Sequence, residues 1–576
     1  MYSLPGILFC LYFIYSGSFA TPYGRQFTLS DTSMVSMTYA KTFVNSGELV
    51  WFPGAERVQG FSNFLYTIFF AFIHLLKLSN SINALLVSVI NLFILIAISY
   101  KVVELSRILN PKKINTSYFL GSIVFFQYSL IFWSLRGYEV GMLALITISS
   151  IVKICRIIER NRISIYPDLI VLWLYLSLGI WLTLDFTIIA VTLTTYIVFV
   201  FKKIVKSYKY LIIFQLGIFL SLFLILIFQY TYYGDFFPNI LYLETGGFLL
   251  IEKIPRGIIS SFKIFPLLLF QSFLLLKDFL EKRESRKLYL IFFLTSSLTV
   301  YNILMGGDNW EVYGFANRTL TLLIPIGLST IALVNKDKFF TSKKLINIIF
   351  SLLLILGVFS LQLNLYNIKN ITISQLTFSS FEIVYFFFSC LFITMLKNRK
   401  YLSYLLGIIF TIFLSFTHVN YLVNTELQIS STEFLNTQIG IELRNFTLQD
   451  AKIGVLWAGN IGYYSERELI DFLGKSDKFV AKSLPVRYLN SSQKYNFNDF
   501  DPGHNKWNFK YSIGILKPDI ILRTWDDEDF YTQIEKNGYE KICVVFKHPF
   551  DSEELEIYIK NNSKKIIKEK IQFCSS

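Results

Sequence analysis

From the N-terminus to about residue 421, the chain is a succession of apolar runs separated by short polar, mostly basic interruptions. A bilayer-spanning helix needs roughly 20 apolar residues. The pattern predicts spans near 81–100, 117–135, 141–155, 167–182, 187–201, 210–230, 262–279, 288–305, 319–334, 345–362, 381–396 and 402–421. Met1–Ala20 ends in Ser18-Phe19-Ala20, small residues at the spacing of a cleavage site. It lacks a basic n-region, so it reads as a first transmembrane helix. Phe61–Lys77 is short for a span and is taken as an interfacial helix. The expected architecture is a polytopic α-helical membrane domain of about thirteen spans over residues 1–423, with a C-terminal soluble α/β domain over 424–576.

Composition agrees with the pattern. The 576 residues are 53 % hydrophobic and 16 % charged, with a mean hydropathy of +0.50. These values exclude a soluble enzyme and a disordered chain. The net charge of +14 does not point to nucleic acid, because it is confined to the membrane part. Residues 424–576 hold 20 Lys+Arg against 22 Asp+Glu, and residues 1–423 hold 34 against 18. Of those 34, 24 fall in the segments 101–116, 153–163, 202–209, 277–287, 336–344 and 397–400. Basic residues mark cytoplasmic loops. This orientation puts the N-terminus inside and the tail outside.

Within the tail, Lys452–Trp457, Asp519–Leu522 and Lys541–Phe546 read as strands, and Phe509–Leu516 as a helix ended by Lys517-Pro518. Among the five cysteines no CxxC pair occurs. Cys543 and Cys574 alone could share one soluble compartment, and a disulfide between them is not the favoured reading. No His or Cys pair has metal-ligand spacing, so no zinc site is expected. A divalent cation near Asp31 and Asp308 stays open, and no other cofactor is implied.

The unusual polar residues collect in the outward loops 21–80, 231–261 and 306–318 and in two tight turns. They include Asp31, Arg57, Arg136, Glu139, Asp185, Asp235, Asn239, Asp308 and Arg318. Ionisable groups at span ends are functional candidates. Each has an ordinary alternative. Asp31 could cap a helix, Glu139 and Asp185 could be solvated, and Arg318 could be an interfacial anchor. His504, after Pro502-Gly503, could be a surface turn residue.

Carboxylates gathered at one face of a bundle suit sugar transfer from a lipid-linked donor. A carboxylate can take the proton of an acceptor hydroxyl, and arginines can hold the departing phosphate. Asp31 is the natural base.

The motifs sharpen this. Asp31-Thr32 through Tyr39-Ala40-Lys41, then Trp51-Phe52-Pro53-Gly54 and Glu56-Arg57, resemble the first outer loop of GT-C membrane glycosyltransferases. The likeness is to the bacterial arabinofuranosyltransferase-like branch that uses polyprenyl-phosphate sugars. Gly137-Tyr138-Glu139, Tyr232-Tyr233-Gly234-Asp235 with Pro238-Asn239, Gly306-Gly307-Asp308, Ala458-Gly459, Ile470-Asp471, Pro502-Gly503-His504 and Lys517-Pro518-Asp519 continue the resemblance in order. It implies an inverting transferase in a bacterial inner membrane, with Asp31 as base. Its partners would be a polyprenyl-phosphate sugar, a pentofuranose in that branch, and an envelope glycan or glycolipid acceptor on the periplasmic side. Thr32, Thr38, Leu184 and Glu244 depart from the branch, which tends to carry an acid or a cation at those places. The rival readings are a lipid-linked-sugar flippase and an inactive scaffold of an envelope-glycan synthesis complex.

Overall fold

The computed structural model describes residues 3–21, 24–160, 166–201, 209–261, 264–280, 285–309, 317–333, 427–486, 500–522, 524–525, 527–547 and 552–574. The predicted spans 345–362, 381–396 and 402–421 lie outside the described residues.

The chain opens with α1 (Leu4–Ser16), the hairpin β1 (Ser18–Thr21) and β2 (Gly24–Phe27), α2 (Asp31–Ser46) and α3 (Phe64–His74). The bundle follows with α4 (Asn80–Leu109), α5 (Ile114–Ile123), α6 (Tyr128–Leu135), α7 (Val140–Arg160), α8 (Tyr166–Leu182), α9 (Thr187–Phe201) and α10 (Lys209–Tyr233). Then come α11 (Asn239–Thr245), α12 (Leu250–Ser261), α13 (Phe265–Leu280), α14 (Arg286–Met305), α15 (Arg318–Thr321) and α16 (Ile324–Thr330).

Among the described residues, four helices (α4, α7, α10 and α14) are long and apolar enough to cross a membrane, and a bent pair makes a fifth. Two predicted spans differ in shape. Met1–Ala20 contains a 13-residue helix, about 20 Å long at 1.5 Å per residue, and turns into β1 at Ser18. The run 117–135 is broken at Gln127, where α5 and α6 meet at 58° through a 3₁₀ turn. The breaking residue is neither proline nor glycine, so the sequence carries no marker of it. Phe61–Lys77 is an 11-residue helix, α3, whose buried face includes Tyr66, Phe70 and Ile73.

Helix α4, 30 residues or roughly 45 Å long, fixes the two ends of the bundle. At its start Asn80 donates to the Tyr463 carbonyl of the tail at 3.3 Å. At its far end the basic segments meet acids. Arg156 contacts Glu104 at 2.5 Å, and Lys287 reaches Glu159 at 2.6 Å and the Ile108 carbonyl at 3.1 Å.

The tail contributes α17 (Leu427–Phe446), β3 (Lys452–Val455), α18 (Ala458–Ser465), β4 (Glu468–Asp471), α19 (Lys478–Lys482), a π-helical turn at Lys510–Ile515, β5 (Ile520–Leu522), α20 (Glu528–Lys536), β6 (Tyr539–Lys547) and β7 (Ser552–Lys560). The strands form one sheet in the order β4-β3-β5-β7-β6. Its β4–β3–β5 part is parallel and the β5–β7–β6 part antiparallel. Against expectation, Cys543 and Cys574 are disulfide-bonded, tying β6 to the segment that pairs with it through Val545 and Gln572.

The first loop and the tail share a core. Tyr39, Trp51 and Phe61 pack in one cluster with Ile439, Ile453, Val455, Ile461 and Leu469. Trp51 Nε1 donates to the Leu469 carbonyl at 3.2 Å. Asp31 does not cap its own helix. Its Oδ1 accepts the backbone N–H groups of Gly459 and Asn460, at 3.0 and 3.1 Å, at the N-terminus of α18. A carboxylate there satisfies orphan amides and meets the positive end of the helix dipole. Gly459 permits the approach, since a Cβ at that position would stand 1.7 Å from the Asp31 carbonyl oxygen.

Gly459→Ala should therefore lift α18 off the first loop, seen as faster proteolysis within residues 21–60 of the folded protein. Asp471, at the end of β4, offers a pH test. Burial lifts its carboxyl to about 6 against the pull of Lys475 and of the Ser476 and Leu473 amides. A raised carboxyl favours the fold while protonated. Its contribution is complete below about 3.9, the unfolded value, and is lost as pH rises through 6. Asp471→Asn should thus gain thermal stability relative to wild type between pH 5 and pH 7.

Candidate active site

A cavity of about 810 Å³, counted out to its open mouth, lies at the tail end of the bundle. It brings together Glu139, Asp185, Asp308 and Arg318, four of the residues singled out from the sequence, with Glu244, Tyr301, Asn317 and Pro502. Apolar side chains of α7, α9 and α14, among them Val140, Leu143, Ile189 and Leu298, complete the wall.

Arg318 is the one cation among the described lining residues. Its Nε donates to Asp308 Oδ2 at 2.8 Å and its Nη2 to Glu244 Oε1 at 2.7 Å. Asn317 caps α15, taking the Leu320 N–H at 2.8 Å, and so fixes where the guanidinium starts. Asp308 sits on a turn with φ of +84° at Gly306 and +80° at Gly307, a backbone open essentially to glycine. Arg256 clamps that turn through the carbonyls of Gly306 and Asp308, at 2.6 and 2.7 Å.

Glu139 accepts from Asn63 Nδ2 at 2.9 Å, and Asp185 from the Tyr301 hydroxyl at 2.8 Å. Burial raises the Glu244 carboxyl above its ordinary value, with Arg318 pulling the other way. Four carboxylates around one guanidinium make a site rich in acceptors for hydroxyl groups. Asp308 and Glu244 take two of the five guanidinium N–H groups, so an incoming phosphate would share Arg318 with these carboxylates.

A smaller cavity of about 260 Å³ adjoins this one, sharing Ser62, Glu139 and Arg318, and adds Thr32, Ser33, Ser36 and Tyr138. Asp31 precedes Thr32 but lines neither cavity among the described residues. Its Oδ2 is buried with no hydrogen-bond partner, 3.9 Å from Lys475 Nζ of the tail.

The other predicted residues stand elsewhere. Arg57 is exposed, pairs with Glu48 at 3.0 Å and lies over the Tyr232 ring. Arg136 is buried, with its guanidinium packed on Gly17, over the Phe13 ring and 3.6 Å from Glu433, so it bolts α1 to α17. Asp235 pairs with Lys482 and Tyr242, and Asn239 donates to the Gly474 carbonyl at 3.2 Å, so both moor α11 to the tail. His504 stands beside the cavity, 3.0 Å from the Asn309 amide.

Sequence reasoning missed Lys475, Arg256 and Tyr301, and it read Glu244 only as a departure. None carries a local signal, because each acquires its role from a residue at least 50 positions away. Among the described residues, the one set of three metal-capable side chains within mutual reach is Cys543, Glu554 and Cys574, and its sulfurs are joined to each other.

No protein-family model matches the chain, and no curated protein matches its sequence. Solved structures do match in fold. ArnT from Cupriavidus metallidurans bound to undecaprenyl phosphate aligns with a TM-score of 0.53 at 10 % identity, over 98 % of both chains. Its apo state aligns at 0.51 and 11 % identity, over 96 % of this chain and 97 % of that one. The apo oligosaccharyltransferase of Archaeoglobus fulgidus aligns at 0.50 and 10 % identity, over 98 % of this chain and 75 % of that one. At such identities the fold is what is shared. It is the fold of ArnT and of the archaeal oligosaccharyltransferase.

Removing Arg318 would leave Glu244 and Asp308 facing one another without their common cation. Breaking a largely buried pair costs about 3 kcal/mol. Arg318→Ala should lower the thermal unfolding midpoint, and adding Glu244→Gln should restore part of the loss.

Proposed function

We propose that the protein is a glycosyltransferase that moves a sugar from a polyprenyl-phosphate donor to an envelope glycan or glycolipid. The observation that carries this reading is the cavity itself. An acceptor-rich, hydroxyl-binding mouth and a single guanidinium sit above apolar helix faces that would accommodate a polyprenyl chain. The structural neighbour that holds undecaprenyl phosphate supports the donor class. The motif resemblance favours an arabinofuranosyltransferase-like activity and a pentofuranose as donor sugar.

Reaction takes place at the outer face of a bacterial inner membrane. Two features support that side. Of the described basic side chains, Lys101, Arg156 and Lys287 stand at the far end of α4, as in cytoplasmic loops, and the tail carries a disulfide, which persists in oxidising compartments.

In the chemical step an acceptor hydroxyl oxygen attacks the anomeric carbon. The bond from that carbon to the phosphate oxygen breaks on the opposite face, inverting the centre, and polyprenyl phosphate leaves with the electron pair. Asp31 takes the hydroxyl proton on Oδ2, while the Gly459 and Asn460 amides hold Oδ1 in place. Arg318 compensates the leaving phosphate through the guanidinium N–H groups that Asp308 and Glu244 do not take.

The test is donor consumption by the full chain in lipid vesicles, offered a panel of polyprenyl-phosphate sugars. Wild type should consume one of them in the presence of acceptor. Asp31→Asn keeps an oxygen for the two amides and loses the base, so turnover should fall 10²- to 10⁴-fold with undecaprenyl phosphate binding retained. Transport of intact donor across the bilayer, equal in both proteins, would contradict the reading.

A further inference from the structure

Tryptophan is mostly buried in folded proteins, and its exposed instances mark recognition surfaces. Trp457 is 37 % exposed and belongs to none of the core clusters of the described residues. It immediately precedes Ala458, where α18 begins, so it stands at the edge of the contact that Asp31 makes with Gly459 and Asn460.

Its ring is 5.5 Å from that of His504, which is 6.5 Å from Trp525, which is 5.1 Å from Trp507. Trp507 and Trp525 rest on the tail's own core, and Trp507 Nε1 is spent on Asp527 at 3.0 Å. They are the foundation of the strip, and Trp457 and His504 are its working end.

His504 supplies the polar element. Its Nδ1 lies between the Asn309 amide nitrogen at 3.0 Å and the Pro502 carbonyl at 3.1 Å, which fix the ring. Burial holds the imidazole below its ordinary value, leaving it neutral at pH 7. Nε2 is buried without a hydrogen-bond partner, and it donates or accepts according to the tautomer. An orphaned ring nitrogen between two indoles asks for a hydroxyl, which can do either, from a ligand that also presents an apolar face. The strip is continuous with the cavity, because Pro502 of the same turn lines it and Asn309 joins His504 to the loop of Asp308.

We propose that Trp457 and His504, backed by Trp525, form a carbohydrate subsite that holds the acceptor glycan. One face of a sugar ring stacks on Trp457, and a hydroxyl of that sugar hydrogen-bonds with His504 Nε2. Trp457 directly precedes the helix whose Gly459 and Asn460 amides hold Asp31, so a glycan on the strip approaches the first loop from the tail side. The assignment of the bound sugar as acceptor rests on the proposed transferase reaction. A lipid surface suits the strip less well, since imidazole interrupts it and Asp501 and Asp527 flank it.

The experiment uses the full chain in lipid nanodiscs over an array of immobilised bacterial envelope oligosaccharides. Wild type should be captured by at least one glycan. Trp457→Ala and His504→Ala should be captured at least tenfold more weakly, while Trp457→Phe, which keeps a ring, stays within about threefold. As a readout that needs no truncation, the captured glycan should shift wild-type tryptophan emission to the blue, and not that of Trp457→Phe. Capture by no glycan, capture undiminished in Trp457→Ala, or dependence of vesicle binding rather than glycan binding on Trp457 would overturn the subsite. Donor turnover is read separately. Glycan capture that follows Trp457 without turnover of any donor would remove the transferase reaction and leave the subsite standing.

Discussion

The Asp31 carboxylate at the N-terminus of α18 is the constraint on which the working end of the molecule rests. It joins residues 428 positions apart and is where the first loop meets the tail. Loop one brings Thr32 and the small cavity, while the tail brings Lys475, Trp457 and His504. Charge-assisted hydrogen bonds of this kind are about twice as strong as neutral ones. The shared core of Tyr39, Trp51 and Phe61 with tail side chains keeps the two amides aimed at Oδ1. Without that apolar support, a single carboxylate could not hold 20 residues of α17 and a five-stranded sheet against the bundle.

The second constraint is electrostatic. Arg318 is held by two acids, and two further acids face it. A site for an anion would gain from additional cations, yet Arg318 is the one cation among the described lining residues and Glu244 is paired to it. The cavity is thus rich in hydrogen-bond acceptors, and any anion in it would share Arg318 with Asp308 and Glu244.

Much of the site was legible because polar residues at span ends stand out against an apolar background. Glu139, Asp185, Asp308 and Arg318 are such residues, and a bundle whose helix ends share one face brings them together. The tail strands at Lys452, Asp519 and Lys541 were legible from short apolar runs, each within two residues of its observed start. The remainder depended on distant partners. Nothing near Asp31 signals that it serves a helix far downstream, and nothing near Lys475 signals Asp31. Arg136 and Asp235 look like the site residues in composition, and tertiary packing turned both to mooring. The Cys543–Cys574 bond was missed because spacing alone does not tell that β6 and the terminal segment pair.

The central claim is that the cavity around Arg318 receives the phosphate of a polyprenyl donor beside the first loop and the tail. A cryo-EM structure of the full chain with undecaprenyl phosphate tests it directly. The account predicts phosphate density within hydrogen-bond reach of Arg318 and the lipid chain against the apolar faces of α7, α9 and α14. Phosphate density among Arg156 and Lys287 at the opposite end of α4, with the Arg318–Glu244–Asp308 cluster unchanged, would contradict it.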